Sequence, residues 1–371
     1  MEVVAKAMKL LLVSTVVVAI AAGVALASDG GNGDPAPKPS AASEVVAAMT
    51  ATDLVGQRIV TGYVGTAPPR YVLRAVRAGR VGGVILFTNN MPTPASAKRA
   101  IDKLQRWAAA GGRPRLLVMI DQEGGIVQRL AQLPPTRTPA SMGRTSDPAR
   151  TATAQGLATG RALTRLGFNV NLAPLVDVPR VRHPLLATPA YSRPAKAAPA
   201  AGCGFADGNE RGGVAATFKH FPGLGRAGAD TDFSDVTIDA GRAQVDVENA
   251  AYRSCPETPT LVMMASARYP RLGIDRPASL ERKTYAMLAE TGFKGLTITD
   301  ALETPQYGPS ANTARSALAA GVDLLLWGQA WGRAVDARAR LLGDVRAGRV
   351  TRAELIAGTE RIVALKDRFK N

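Results

Sequence analysis

Eight short apolar runs, strung between Gln57 and Trp327 and mostly separated by segments of helical length, constrain this chain more than any other feature. They are Gln57 to Gly62, Gly83 to Phe87, Leu116 to Ile120, Phe168 to Ala173, Val214 to Lys219, Thr260 to Ala265, Leu296 to Thr299 and Val322 to Trp327. A continuous apolar run of this length predicts a strand buried on both faces, and such strands alternating with helices predict parallel βα units. Helices are expected at Pro94 to Ala110, Asp147 to Leu166, Ala243 to Arg253, Leu280 to Thr291 and Asn312 to Ala320. Eight units close naturally into an α/β fold, a single-domain (β/α)8 barrel of the TIM type. The alternative, an open doubly wound sheet, lacks support: no G-x-G-x-x-G follows the first run, and no phosphate loop is present. The last two helical segments, Ala334 to Arg346 and Arg352 to Lys370, are expected to pack on the barrel.

In such a barrel the residues just after each strand line one mouth, where catalysis is built. Several runs end in polar groups: Asp121-Gln122-Glu123-Gly124-Gly125 after Ile120, Lys219-His220-Phe221-Pro222-Gly223 after Phe218, Ser266 after Ala265 and Asp300 after Thr299. Taken singly each has a plain structural use, since a strand-end Asp caps helices and a lone His is satisfied by its neighbours. Taken together they describe a site for a ligand rich in hydroxyls, and a positioned Asp is the usual nucleophile at a glycosidic bond.

Composition narrows the chemistry. The 46 basic and 30 acidic side chains leave a charge of +16, which implies anionic surroundings. Nucleic acid is not read as the partner, because aromatic residues are only 5% of the chain and the basic residues are scattered along it. The two cysteines, Cys203 and Cys255, exclude a four-thiolate zinc site and leave one disulfide open. The two histidines, His183 and His220, exclude a three-histidine metal centre. Chemistry therefore rests on carboxylates, hydroxyls and lysines, with no metal or organic cofactor called for.

Lys6 and Lys9 precede an apolar run from Leu10 to Ala27 that ends in Ala25-Leu26-Ala27, the pattern of an export signal over residues 1–27. An uncleaved membrane anchor is the alternative. Residues 28–42, rich in Gly and Pro, read as a flexible linker, with the folded part at residues 43–371. The expected location is secreted or extracytoplasmic; association with an anionic cell wall is one reading of the charge, and an arginine-rich coding bias without function is another source of it. An oxidising exterior permits Cys203 to pair with Cys255.

Five segments in order carry a family resemblance. Gly82 to Phe87, Ile120 to Leu130, Asn171 to Val178, Lys219 to Gly223 and Thr299 to Leu302 resemble glycoside hydrolase family 3, in its single-domain β-N-acetylglucosaminidase branch. The resemblance covers about Ala51 to Trp327. It implies a monomeric retaining glycosidase acting on a β-linked carbohydrate, most plainly N-acetylglucosamine from cell-wall or chitin-like material, through a covalent glycosyl-aspartate. It further implies Asp300 as nucleophile and Asp121, Arg129, Arg193, Lys219 and His220 as sugar-binding residues.

The chain departs from that branch where the branch carries its acid/base histidine, in a loop reading His-Gly and then Asp-Ser-His. Here the loop reads Leu224-Gly225-Arg226-Ala227-Gly228-Ala229-Asp230-Thr231-Asp232-Phe233-Ser234-Asp235, which sets Asp232 at the catalytic histidine. A further family histidine after the sixth strand corresponds to Ser266. Three readings follow. Asp232, or else Asp230 or Asp235, serves as acid/base with a pKa raised by its surroundings; the protein binds sugar without cleaving it; or it transfers the glycosyl group to phosphate with help from Arg226. A β-glucosidase-like specificity is also open.

Overall fold

The computed structural model describes residues 40–180, 197–308 and 312–370. All eight apolar runs contain a strand of one parallel sheet: β1 (Ile59–Thr61), β2 (Gly83–Ile85), β3 (Leu117–Ile120), β6 (Val170–Asn171), β7 (Ala215–Phe221), β8 (Leu261–Met264), β9 (Leu296–Thr299) and β10 (Leu325–Trp327). Their spatial order is β10-β1-β2-β3-β6-β7-β8-β9. The seam between β9 and β10 is drawn together by a parallel bridge between Ile298 and Leu324, and by Thr299 N–H donating to the Leu324 carbonyl at 3.0 Å. The result is the (β/α)8 barrel expected from the alternating pattern.

Inward residues such as Val60, Ile85, Leu117, Met119, Leu261 and Met263 fill the barrel interior. Their outward neighbours, among them Ile59, Val84, Val118 and Ile120, pack under the helical layer. This two-sided burial explains why the strands read as unbroken apolar runs.

The helices start where local chemistry satisfies free N–H groups. Thr93 caps α4 (Pro94–Ala109), Asp147 caps α6 (Pro148–Leu166), and Thr351 with Glu354 forms a capping box on α13 (Arg352–Arg368). Close packing of α6 on α7 (Ala197–Arg211) requires glycine: a Cβ at Gly156 would lie 2.2 Å from the Phe205 carbonyl oxygen.

Several expectations need correction. The folded part begins before Ser43, because α1 (Ala41–Ala47) buries Val46 completely. Gln57 belongs to α2 (Ala51–Gln57), whose Thr50–Asp53 capping box sets a helical turn ahead of β1. The helix expected over Ala243 to Arg253 is two, α8 (Arg242–Glu248) and α9 (Ala250–Ser254), which meet at Asn249. A short antiparallel hairpin, β4 (Gln122–Gly124) and β5 (Val127–Gln128), follows β3 directly, its turn made by Gly124 and Gly125 at positive φ. The expected leader, and the linker as far as residue 39, lie outside the described residues. Among the described residues no helix is long and apolar enough to cross a membrane.

The remaining labelled helices are α3 (Arg70–Arg77), α5 (Pro139–Met142), α10 (Arg282–Ala289), α11 (Thr313–Ala320) and α12 (Trp331–Arg346). Cys203 on α7 and Cys255 after α9 are joined by a disulfide, with Cα atoms 6.1 Å apart.

Candidate active site

The carboxyl ends of the strands surround a pocket of about 200 Å3 lined by Asp121, Glu123, Arg129, Lys219, His220, Asp232 and Asp300, with Phe87 and Leu175 among its apolar walls. The polar groups come from the ends of β3, β7 and β9, and Phe87 and Leu175 from those of β2 and β6.

Lys219, buried on β7, is held between two carboxylates. Its Nζ lies 2.9 Å from Asp121 Oδ1 and 2.7 Å from Glu123 Oε1. Arg129 reaches back from the hairpin to Asp121 Oδ2 at 3.3 Å and lies over the Phe87 ring at 5.4 Å. Burial opposes the Asp121 charge, but the Lys219 and Arg129 cations outweigh it and hold its pKa below the usual carboxylate value. Burial pushes Glu123 upwards, only partly offset by Lys219. Lys219 itself is held above its ordinary value, since Asp121 and Glu123 together outweigh its desolvation.

His220 is oriented by Asp177, at the end of the segment Leu175-Val176-Asp177 that follows β6. Asp177 Oδ2 accepts both the His220 backbone N–H at 3.0 Å and its ring Nδ1 at 2.8 Å, while Oδ1 accepts the Leu224 N–H at 2.6 Å. A carboxylate only accepts here, so Nδ1 carries the proton. Desolvation opposes a charged ring, yet the Asp177 bond and charge, with Asp300 behind them, raise the His220 pKa. Gly223 then turns the chain at φ +122°, and its carbonyl accepts the Tyr269 hydroxyl at 2.8 Å.

Asp300 is buried just past β9. Its Oδ1 accepts the Ala301 N–H at 2.8 Å and its Oδ2 accepts from Ser266 Oγ at 3.3 Å. Asp232 stands at the pocket mouth on the loop after β7. Its side chain is open to solvent on one side, but desolvation, and after it the charges of Asp300 and Asp230, push its pKa up to about 7.

Asp230, on the same loop, also lines the pocket. Asp230 Oδ1 accepts the Asp232 N–H at 2.9 Å, and Asp235 pairs with Arg268 outside the pocket lining. Glu303 is also raised by burial, but it does not line the pocket, and its Oε1 accepts the Gly328 N–H at 2.7 Å. The phosphate contact expected of Arg226 needs correction: its Nε donates to Glu248 Oε1 at 2.8 Å, where Arg180 also pairs, and it is not among the lining residues. Arg193 lies outside the described residues.

The residues 55–365 match glycosyl hydrolase family 3, N-terminal domain. The chain belongs to that family. This family 3 glycosidase is 31% identical over 347 residues to an uncharacterized secreted glycosyl hydrolase of Arthroderma benhamiae, covering 88% of this chain and 96% of that protein. Among solved structures it is similar to the family 3 β-N-acetylglucosaminidase of Paenibacillus sp. str. FPU-7, with a TM-score of 0.81 and 30% identity over 86% of this chain. It spans 63% of that longer protein. It is also similar to the β-N-acetylhexosaminidase of Beutenbergia cavernae, with a TM-score of 0.78 and 27% identity over 86% of this chain and 99% of that one.

Sequence reasoning assigned no role to Asp177, Glu123 or Gln306. The first two carry a signal, a carboxylate three residues past β3 for Glu123 and six past β6 for Asp177. Gln306 carries none. It sits in a 3-10 turn, Pro305–Tyr307, and reaches both Ser266 Oγ at 3.1 Å and the Thr231 carbonyl at 2.6 Å.

Proposed function

We propose that this family 3 glycosidase is an exported retaining hydrolase that removes β-linked N-acetylglucosamine, with Asp300 as nucleophile and Asp232 as acid/base. The observation that carries the reading is Asp232 in the same pocket as Asp300, its carboxyl raised to about 7. A carboxyl at that value is protonated and ready to donate near neutral pH, yet is readily ionised to act as base.

In the first step an Asp300 carboxylate oxygen bonds to the anomeric carbon as the bond to the leaving oxygen breaks, and Asp232 gives that oxygen its proton. In the second, ionised Asp232 takes a proton from water, whose oxygen displaces Asp300 and restores the free carboxylate. The two displacements come from opposite faces of the anomeric carbon and each inverts it, so the configuration is retained. Asp121, Lys219, His220 and Arg129 supply acceptors and donors for the sugar hydroxyls, fixed beforehand by their mutual ion pairs.

The sugar is inferred from the relatives named β-N-acetylglucosaminidase and β-N-acetylhexosaminidase. Export is inferred from the apolar leader and from a relative named as secreted.

The test is turnover of activated aryl β-glycosides, N-acetylglucosaminide beside glucoside, by the protein and its Asp300→Ala variant. The expected result is hydrolysis of the N-acetylglucosaminide that vanishes in the variant. Undiminished turnover in Asp300→Ala overturns the mechanism, and binding of N-acetylglucosamine oligomers with no turnover by either protein overturns the catalytic reading in favour of a sugar-binding protein.

A further inference from the structure

A second pocket, of about 280 Å3, opens on the outer wall of the barrel between α3 and α12. Its floor includes Ile59, which points outwards from β1 while Val60 points into the barrel. Tyr71 and Trp331 meet across it, with ring centroids 5.1 Å apart and planes tilted by 59°. Three guanidinium groups, those of Arg74, Arg80 and Arg338, line the same pocket.

Among these cations Arg338 stands out, because its buried Nε meets no acceptor. Elsewhere many exposed arginines are matched to carboxylates, as Arg242 is to Asp246, Arg349 to Asp344 and Arg361 to Asp323. Among the described residues the side chains of Arg74, Arg80 and Arg338 have no hydrogen-bond or ion-pair partner, and the buried Nε of Arg338 is left unmet. Burial and the nearby charge of Arg80 act against the Arg338 cation, and the Asp53 charge only partly offsets them. Arg70, Arg74 and Arg77 also follow one another at helical spacing along one face of α3, which has no acidic residue in its first turn. Arg74, Arg80 and Arg338 thus gather beside two aromatic rings.

We propose that this pocket is a second carbohydrate site, which takes a sugar bearing a carboxylate or a phosphate. The anion satisfies the forked N–H groups of Arg74, Arg80 and Arg338, and the apolar face of the sugar ring packs against Tyr71 or Trp331. Shape favours a saccharide over single-stranded nucleic acid. The two rings are tilted against each other inside one pocket, whereas successive bases need separate stacking platforms along a groove. The site stands apart from the catalytic mouth, so it does not rest on the roles of Asp300 and Asp232. For an enzyme of charge +16 it is a means of holding an anionic glycan while the mouth works on it.

The experiment is calorimetric titration of the intact protein with trigalacturonate, N-acetylglucosamine 1-phosphate, inorganic phosphate, neutral chitotriose and oligothymidylate, repeated on Arg338→Gln, Arg74→Gln and Trp331→Ala. At least one anionic saccharide is expected to bind, the carboxylate and phosphate arms naming the source of the anion. Each arginine substitution should weaken that binding about tenfold, the worth of one charge-assisted contact. Trp331→Ala should weaken it as well, with chitotriose binding and aryl glycoside turnover unchanged in all three variants. Arg74 is exposed, so its variant keeps the test sound should Arg338→Gln fold poorly. The proposal is overturned if neither anionic saccharide binds, or if binding is indifferent to all three substitutions. It is equally overturned if inorganic phosphate binds as tightly as the sugar phosphate, or if oligothymidylate is the tightest ligand with the same dependence.

Discussion

Gln306 donates through Nε2 to the Thr231 carbonyl at 2.6 Å, tying the loop that carries Asp232 to the loop that follows Asp300. The same amide group reaches Ser266 Oγ at 3.1 Å, and Ser266 donates to Asp300 at 3.3 Å. One side chain therefore sets the spacing of the two carboxylates. Gln306→Ala should lower kcat on substrates with poor leaving groups by about tenfold, roughly one lost hydrogen bond in a positioned acid. Activated aryl glycosides, which need little protonation, should be far less affected. Equal losses on both classes would show that Gln306 only supports the fold.

Asp232 makes the pH dependence directional. With its pKa pushed up to about 7, the acid is protonated below that value and lost above it, so turnover of poor leaving groups should fall as pH rises through about 7. Asp232→Asn should abolish this alkaline limb and cost about 10²- to 10⁴-fold on such substrates. A pH–rate profile that keeps its alkaline limb in the variant would assign that limb to another group.

Lys219 sits between Asp121 and Glu123, and its removal strands the buried Glu123 and leaves Asp121 with Arg129 alone. Lys219→Met should destabilise the protein by about 3–5 kcal/mol, the cost of breaking a buried ion pair from one side. Chemical denaturation of the two proteins at pH 7 measures this directly. A loss below about 1 kcal/mol would mean that water or protonation relieves the stranded charge.

The disulfide joins residues separated by 52 positions. Closing a loop of that size in the unfolded chain contributes about 4 kcal/mol on the chain-entropy account. A Cys203→Ala/Cys255→Ala double variant should therefore melt well below the parent under oxidising conditions and match the reduced parent. Identical melting of all three forms would rule out a stabilising role.

Lys366, on α13, is buried with Gln57 Oε1 at 2.5 Å as its partner, and burial pushes its pKa down to about 7. Between about 7 and the ordinary lysine value the unfolded chain binds a proton that the folded one does not, so this residue makes stability rise with pH across that window. Lys366→Met removes the effect. Relative to the parent, the variant should gain most in Tm near pH 7 and lose that advantage towards pH 10. A gap that stays constant with pH would show that Lys366 is not neutral in the fold.

The sequence by itself determined the architecture and the chemical inventory. Two-sided burial keeps the strands mostly apolar, so the strand series is legible as runs, and the carboxyl-end rule then collects Asp121, Lys219, His220 and Asp300 at one mouth. Capping residues such as Thr93, Asp147 and Thr351 act within one turn of themselves, which makes helix starts equally legible. Only the tertiary structure decided how distant groups meet. Asp177 grips His220 across 43 positions, Gln306 reaches Thr231 across 75, and Arg338 meets Arg74 and Arg80 over most of the chain's length. Such meetings depend on the register and closure of the barrel and on which way each loop folds back over it. Those are properties of packing between elements, and no local pattern of residues encodes them.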